Sequence, residues 1–319
     1  LTKNDPSLGG FRIMKLLRIG TRGSLLALAQ TRWVRSRIEA RYPSIEVESI
    51  VIKTAGDQSP AEAVSALGGK GVFVKEIEEA LLAKEIDLSV HSMKDLPTEV
   101  TPGLTVAAIP AREDSRDVLV SRDSVRLQAL PSGAKIGTGS LRRRAQMLHC
   151  RADLRVVGIR GNIDTRLAKL DRGEVDGLVL AAAGLKRIRN EGRITEYLAE
   201  DVCLSAVAQG ALALETRASD PVIEMLGFLH DTAAAAEVTA ERAFLQRLGG
   251  GCHLPVAARA HCVGAELRLQ GIVADVKGIR LIRGELAAPV GEAAVLGVRL
   301  AERLLQDGAG EVLEAQFKA

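Results

Sequence analysis

A chain of 319 residues is too long for one ordinary core and suits two or three domains, each able to bury its own interior. Apolar residues make up 47% and charged residues 26%, with no low-complexity tract or fixed-period repeat, which excludes a largely disordered chain. Lysine plus arginine exceed aspartate plus glutamate by only three (43 against 40) and aromatics reach 3%, so the charge and the rings needed by a dedicated nucleic-acid binder are missing.

Taken in chain order, Leu1 to Met14 reads as a loose leader, since its charges interrupt the apolar core of a secretory signal. Leu16 to Ile19 then predicts a strand, followed by a Gly-containing turn and a helix entered at Ser24. Ile45 to Ile52 reads as the next strand, and Phe73, Ile77, Ala80 and Leu81 share one helical face. Ile86, Leu88 and Val90 alternate as a strand running into His91-Ser92-Met93-Lys94-Asp95-Leu96-Pro97, where proline ends regular structure. The polar run Pro110 to Asp117 reads as a crossover into a second α/β unit. That unit has strands at Ala134–Gly137, Leu154–Val157 and Val175–Leu180, a helix capped by Ser140, and another marked by Ile163, Leu167 and Leu170. From about Thr232 a helix, the loop Gly249-Gly250-Gly251-Cys252, alternating segments and a terminal helix read as an α+β appendage. No stretch approaches a membrane span.

The four cysteines (Cys150, Cys203, Cys252, Cys262) are far apart and show no zinc-like pairing, which favours free thiols in a reducing compartment. Cys252 follows three glycines, a setting in which a ligand can approach the backbone closely. That loop alone leaves an inert thiol and a reactive one equally open. Between Ile136 and Arg166 stand seven arginines against two acids. Gly137-Thr138-Gly139-Ser140-Leu141-Arg142-Arg143 follows a strand and opens a helix, so free N–H groups and guanidinium forks converge on a natural carboxylate or phosphate site. A solvated helix face is the alternative. Thr21-Arg22-Gly23-Ser24 repeats the device, and Lys70 lies in a glycine-rich segment, but neither has the spacing of a nucleotide-binding P-loop. Asp95, at a strand end beside Lys94, is either a turn cap or a carboxylate that steadies a developing cation.

Together these segments resemble the porphobilinogen deaminase (hydroxymethylbilane synthase) family from about Leu17 to the C-terminal region. The carriers are Arg18 to Ser24, Lys53 to Asp57, Gly68 to Glu76, His91 to Pro97, Gly137 to Arg143, Arg160 to Leu167, Ala181 to Arg187, Gln209 to Ala211, and Glu241 to Cys252. The resemblance implies two doubly wound lobes of the periplasmic-binding-protein type plus a smaller α+β C-terminal domain. The implied division is 14–110 with 206–229, then 111–205, then 230–319. It implies a transferase that condenses four porphobilinogens head to tail with loss of ammonia and then releases hydroxymethylbilane, in tetrapyrrole biosynthesis. A dipyrromethane cofactor would be held through Cys252, with no metal. Asp95 matches the catalytic aspartate. Lys94, Thr138, Ser140, Arg142, Arg143, Arg166 and Phe73 would hold the cofactor; Arg22, Ser24, Lys70, Arg160, Arg187 and Gln209 would receive the substrate and the growing chain.

The chain departs from the family at Ser205 and Ala208, where proline and glycine are the more usual residues, and at His253, where glutamine is common. A Cys252/His253 hydrolase is disfavoured, because adjacent loop side chains point apart and no orienting third residue is evident. A non-catalytic carboxylate-binding receptor would use the same cleft but leave Cys252 and Asp95 idle. The expected protein is a cytoplasmic monomer without nucleic-acid or membrane partners, bacterial or, after removal of a transit peptide, plastidial.

Overall fold

The computed structural model describes residues 14–54, 74–250 and 254–317. Two five-stranded sheets and one three-stranded sheet organise it. The first contains β1 (Leu16–Thr21), β2 (Glu46–Val51), β3 (Leu88–Ser92), β4 (Leu104–Ala108) and, from far along the chain, β10 (Leu212–Arg217), in the order β2-β1-β3-β10-β4. The second contains β5 (Asp117–Ser121), β6 (Lys135–Gly137), β7 (Arg155–Val157), β8 (Gly177–Ala181) and β9 (Glu196–Tyr197), in the order β7-β6-β8-β5-β9. In each sheet the first three positions pair in parallel and the fourth strand runs antiparallel. The fourth strand of each sheet is the one the chain delivers on crossing between lobes: β5 on the way out and β10 on the way back.

Local sequence explains the helices that flank these sheets. Ser24 takes extended backbone, and its hydroxyl accepts from the Ala27 N–H at 3.3 Å, starting the helix Leu25–Arg41. That helix buries Ala27, Gln30, Thr31, Val34 and Ile38, a stripe at three- and four-residue spacing. Ser140 caps Leu141–Cys150 in the same way, through the Arg143 N–H. The expected strands and helices of the second unit stand within a residue or two of their positions. β4, β9 and β10 were not legible, and β5 begins on the last residue of the expected crossover.

The two crossovers run side by side and form the hinge. The Glu113 N–H donates to the Gly210 carbonyl at 3.2 Å, and Arg112 Nε donates to the Gln209 carbonyl at 2.8 Å. Gly210 has φ +88°, and a Cβ there would lie 2.3 Å from the Glu113 carbonyl oxygen, so the close approach excludes any side chain. Ala208 sits in the left-handed region at φ 58°, which favours glycine. A left-handed non-glycine residue costs roughly 1–2 kcal/mol, offset in part by the extra chain entropy of glycine. Ala208→Gly is therefore expected to stabilise the protein by on the order of 0.5–1 kcal/mol, read as a rise in the urea midpoint; an unchanged or lower midpoint would refute the strain.

The third sheet is an antiparallel meander of β11 (Val256–Val263), β12 (Glu266–Ala274) and β13 (Leu281–Pro289), packed on the helices Thr232–Arg247 and Ala293–Leu304 around Phe244, Leu267, Leu269, Leu296 and Leu300. Its tie to the hinge is ionic. The fully buried Glu241 accepts from Arg112 at 2.7 and 2.9 Å, from the Ala208 N–H and from the Ala260 N–H, while Arg259 and Glu237 complete the cluster. Cys150, Cys203 and Cys262 are free thiols. Among the described residues no helix is long and apolar enough to cross a membrane.

Candidate active site

The cleft between the two lobes has a volume of about 680 Å3 and gathers the C-terminal end of β3, the turn after β6, the segment Ile159 to Arg166, the helix Ala182–Arg187 and the hinge. Asp95 stands exposed at its wall, in a single helical turn, Met93–Asp95, that directly follows β3. The turn is gripped from two sides. The Met93 N–H donates to the hinge carbonyl of Ala211 at 3.0 Å, and Arg242 of the third domain donates to the carbonyls of Leu96 and Pro97. The helix carrying Arg242, Thr232–Arg247, is followed by Gly249 and Gly250, both at positive φ; a Cβ on Gly250 would meet the Thr98 hydroxyl at 3.3 Å. The segment leading to Cys252 is thus held beside the segment leading from Asp95.

Among the described residues six cations (Arg22, Lys94, Arg143, Arg160, Arg166, Arg187) and two carboxylates (Asp95, Asp164) line the cleft, with Ser24, Ser140 and Gln209 among the polar groups between them. Burial, with Arg143 adding to it, pulls the Arg166 guanidinium below its ordinary value. Arg166 Nε donates to the Gly161 carbonyl, and among the described residues Arg166 has no carboxylate partner. Burial also pulls Arg187 down to about 10 against the attraction of Glu113, while its guanidinium donates to the Gly210 carbonyl at 2.7 Å. Lys94 is lowered by burial first, with Asp95 acting in the opposite direction and Arg143 adding to the fall. Crowded, desolvated cations of this kind are stabilised by a ligand that brings several carboxylates.

Two expected site residues lie behind the cleft wall. Thr138 is buried, and its hydroxyl accepts from the Ser140 N–H, shaping the turn. Arg142 is buried and donates to Asp117 at 2.5 Å and to the Leu204 carbonyl at 2.6 Å. Arg143 reaches the cleft but also binds Asp117 through Nε and Nη2, and Gln209 donates to the same carboxylate at 2.8 Å. Cys252, Phe73, Lys70 and His253 lie outside the described residues.

Asp117 is the residue that sequence reasoning missed. Burial would push its carboxyl up, but the attraction of Arg142 and Arg143 overrides burial and holds it well below the usual carboxylate range. Its signal was an acid immediately ahead of the apolar run Val118-Leu119-Val120. Gln30 was also missed: it interrupts the buried face of its helix, lines the cleft and donates to the Ser92 hydroxyl at 2.8 Å. Asp117→Ala is expected to destabilise the fold by about 3–5 kcal/mol, because two guanidinium groups remain buried without their counter-ion. In the parent, the stability supplied by the depressed carboxyl is present above about pH 4 and is lost as pH falls below it. The variant should therefore show a lower urea midpoint at pH 7 and a flatter acid limb; equal midpoints would remove Asp117 from this role.

A two-lobed α/β molecule whose cleft concentrates arginines beside the exposed Asp95 presents a site suited to a polycarboxylated small molecule. The model of the porphobilinogen deaminase dipyromethane cofactor binding domain matches residues 17–225, and that of the porphobilinogen deaminase C-terminal domain matches residues 235–306. The chain is 51% identical over 300 residues to the porphobilinogen deaminase of Syntrophotalea carbinolica, covering 94% of this chain and 95% of the relative. It is 50% identical over 303 residues to that of Geobacter sulfurreducens, covering 95% of each. Among solved structures it is similar to the periplasmic aliphatic sulphonate binding protein of Escherichia coli, with a TM-score of 0.36, 15% identity, and 74% of this chain and 71% of that chain covered. The chain belongs to the porphobilinogen deaminase family.

Proposed function

We propose that this chain condenses four porphobilinogen molecules head to tail, releasing one ammonia at each step, and then hydrolyses the product from the enzyme as hydroxymethylbilane. The observation that carries the reading is the excess, among the described residues, of six cations over two carboxylates, one of them Asp95, in the cleft. Every porphobilinogen contributes an acetate and a propionate, so a growing chain accumulates the charge that this cleft is short of.

The buried Arg143 and the half-buried Arg166, together with Lys94 and Ser140, fit the carboxylates of a dipyrromethane, since Arg166 lacks a carboxylate partner among the described residues. When bound, that cofactor supplies the pyrrole carbon that attacks the substrate. Cys252 would anchor it by a thioether, with Phe73 against a ring face. Arg22, Ser24, Lys70, Arg160, Arg187 and Gln209 would hold the incoming ring and the growing chain. Thr138 and Arg142, placed behind the wall, would act through the turn and through Asp117. Asp95 would accept from the pyrrole N–H and stabilise the cationic azafulvene left when the substrate loses ammonia.

The division 14–110 with 206–229, 111–205 and 230–319 is supported by β10 pairing in the first sheet and β5 in the second. The protein would work as a cytoplasmic monomer of a bacterial cell, without nucleic-acid or membrane partners. Intact mass tests the whole reading. The purified protein should exceed its sequence mass by a dipyrrole, give colour with acidic dimethylaminobenzaldehyde and consume porphobilinogen. An unmodified, colourless protein that leaves porphobilinogen untouched would instead be a carboxylate receptor.

A further inference from the structure

A second cavity, of about 920 Å3, lies between the lobes and shares Leu25, Gln30, Arg187 and Ile188 with the catalytic cleft. Three elements supply its polar groups: Arg32 and Trp33 from the first-lobe helix, Glu113 from the crossover, and Arg189 just past the helix Ala182–Arg187. Of the other cations on its wall, Arg112 pairs with Glu237 and Glu241, Lys186 pairs with Glu113 and Asp114, and Arg187 donates to the Gly210 carbonyl. Among the described residues Arg32 and Arg189 make no ion pair, and both are exposed. Arg189 is held at φ 58°, a conformation that a bulky side chain adopts at a cost. Trp33, the only tryptophan of the chain, is 38% exposed on the same wall.

An isolated exposed arginine on a helix is ordinarily a solvated face. Here two of them, from different lobes, converge with an indole on one cavity continuous with the cleft. The set matches two features of porphobilinogen, its pair of carboxylates and its flat electron-rich ring. We propose that this cavity is an antechamber that docks incoming porphobilinogen, with its carboxylates on Arg32 and Arg189 and its ring against Trp33, before it passes the Gln30 and Arg187 rim into the cleft. This rests on the function proposed above. Arg32, Trp33 and Arg189 line this cavity and not the catalytic cleft, so they accelerate capture and leave the chemical step alone.

The test is the double charge reversal Arg32→Glu with Arg189→Glu in the cofactor-loaded protein. The specificity constant kcat/KM for porphobilinogen should fall about tenfold or more at low salt while kcat holds, because steering of this kind changes the encounter rate. The deficit should shrink towards 1 M salt, where the screening length is about 3 Å. The matched Arg32→Lys, Arg189→Lys pair should restore most of the loss, and Arg32→Gln with Arg189→Gln gives the same readout if the reversed protein fails to fold. Independently, porphobilinogen titrated into Asp95→Ala protein should change the fluorescence of Trp33 saturably, and the charge reversal should abolish that change. Unaltered kcat/KM, a parallel fall in kcat, a salt-independent loss, or a Trp33 signal blind to porphobilinogen would each overturn the antechamber. A parent enzyme that never consumes porphobilinogen would instead overturn the function, and the fluorescence titration would still decide the docking.

Discussion

Cys252→Ser is expected to yield a protein of its bare sequence mass, colourless with acidic dimethylaminobenzaldehyde and without measurable formation of hydroxymethylbilane. Attachment requires sulfur to form a bond to the aminomethyl carbon of a pyrrole as ammonia departs, with the thiol proton leaving alongside. A thiol has a pKa near 8.5 and presents a useful thiolate fraction at neutral pH, whereas a serine hydroxyl needs an adjacent base to become a nucleophile. The primer should also stabilise the fold, since a ligand bound only by the native state shifts unfolding in proportion to the logarithm of its occupancy. The serine protein should accordingly unfold at a lower temperature than the loaded parent, most visibly at low salt, where the crowded cleft cations repel one another more strongly. A dipyrrole mass retained by the serine protein would transfer the anchor to another residue.

What the sequence disclosed of this architecture follows from how locally each feature is encoded. Ser24 and Ser140 announce their helices because capping involves a hydroxyl and an N–H three residues away. The spacing of Ile163, Leu167 and Leu170 is equally local. β10 was illegible for the opposite reason: Leu212 to Arg217 carries no sign that its partners are His91 and Val90, more than a hundred residues earlier. Only the family resemblance returned this segment to the first lobe.

The same distinction divides the candidate site. Arginine density reported an anion requirement but not whether the anion belongs to the ligand or to the protein. Asp117 answers that for Arg142 completely and for Arg143 in part. Such an arrangement is useful to a site that must bind and release: a guanidinium already fixed by a buried carboxylate presents its remaining donors in a set direction, with less side-chain freedom to lose on binding. Arg166, which has no carboxylate partner among the described residues, responds most strongly to an incoming anion. Glu241 adds the third domain to this frame, because its carboxylate reaches both the outgoing crossover at Arg112 and the returning one at Ala208. A shift of either crossover therefore bears on the helix that leads to the Cys252 loop.

Asp95→Ala is expected to separate holding from turnover. The turn Met93–Asp95 depends on the Met93 N–H to the Ala211 carbonyl, the Leu96 N–H to the Met93 carbonyl, and Arg242 to the carbonyls of Leu96 and Pro97. None of these uses the Asp95 carboxylate, so alanine should leave the turn, the melting temperature and the attached dipyrrole in place. What it removes is the negative charge beside a substrate carbon that becomes cationic when ammonia leaves. Loss of one preorganised electrostatic group of this type costs about 3–4 kcal/mol or more, which slows turnover by roughly a hundredfold to a thousandfold at the least. Because Lys94 is adjacent and its ammonium is favoured by Asp95, the alanine protein also leaves that cation less compensated, which adds to the penalty on a cationic intermediate. Asp95→Glu keeps the charge but displaces it by one methylene, and should turn over at a rate between those of the parent and the alanine protein, with the dipyrrole still attached. Loaded Asp95→Ala protein that turns over at the parental rate would deny the carboxylate any part in the chemistry, whereas loss of turnover together with loss of the dipyrrole would assign it to loading.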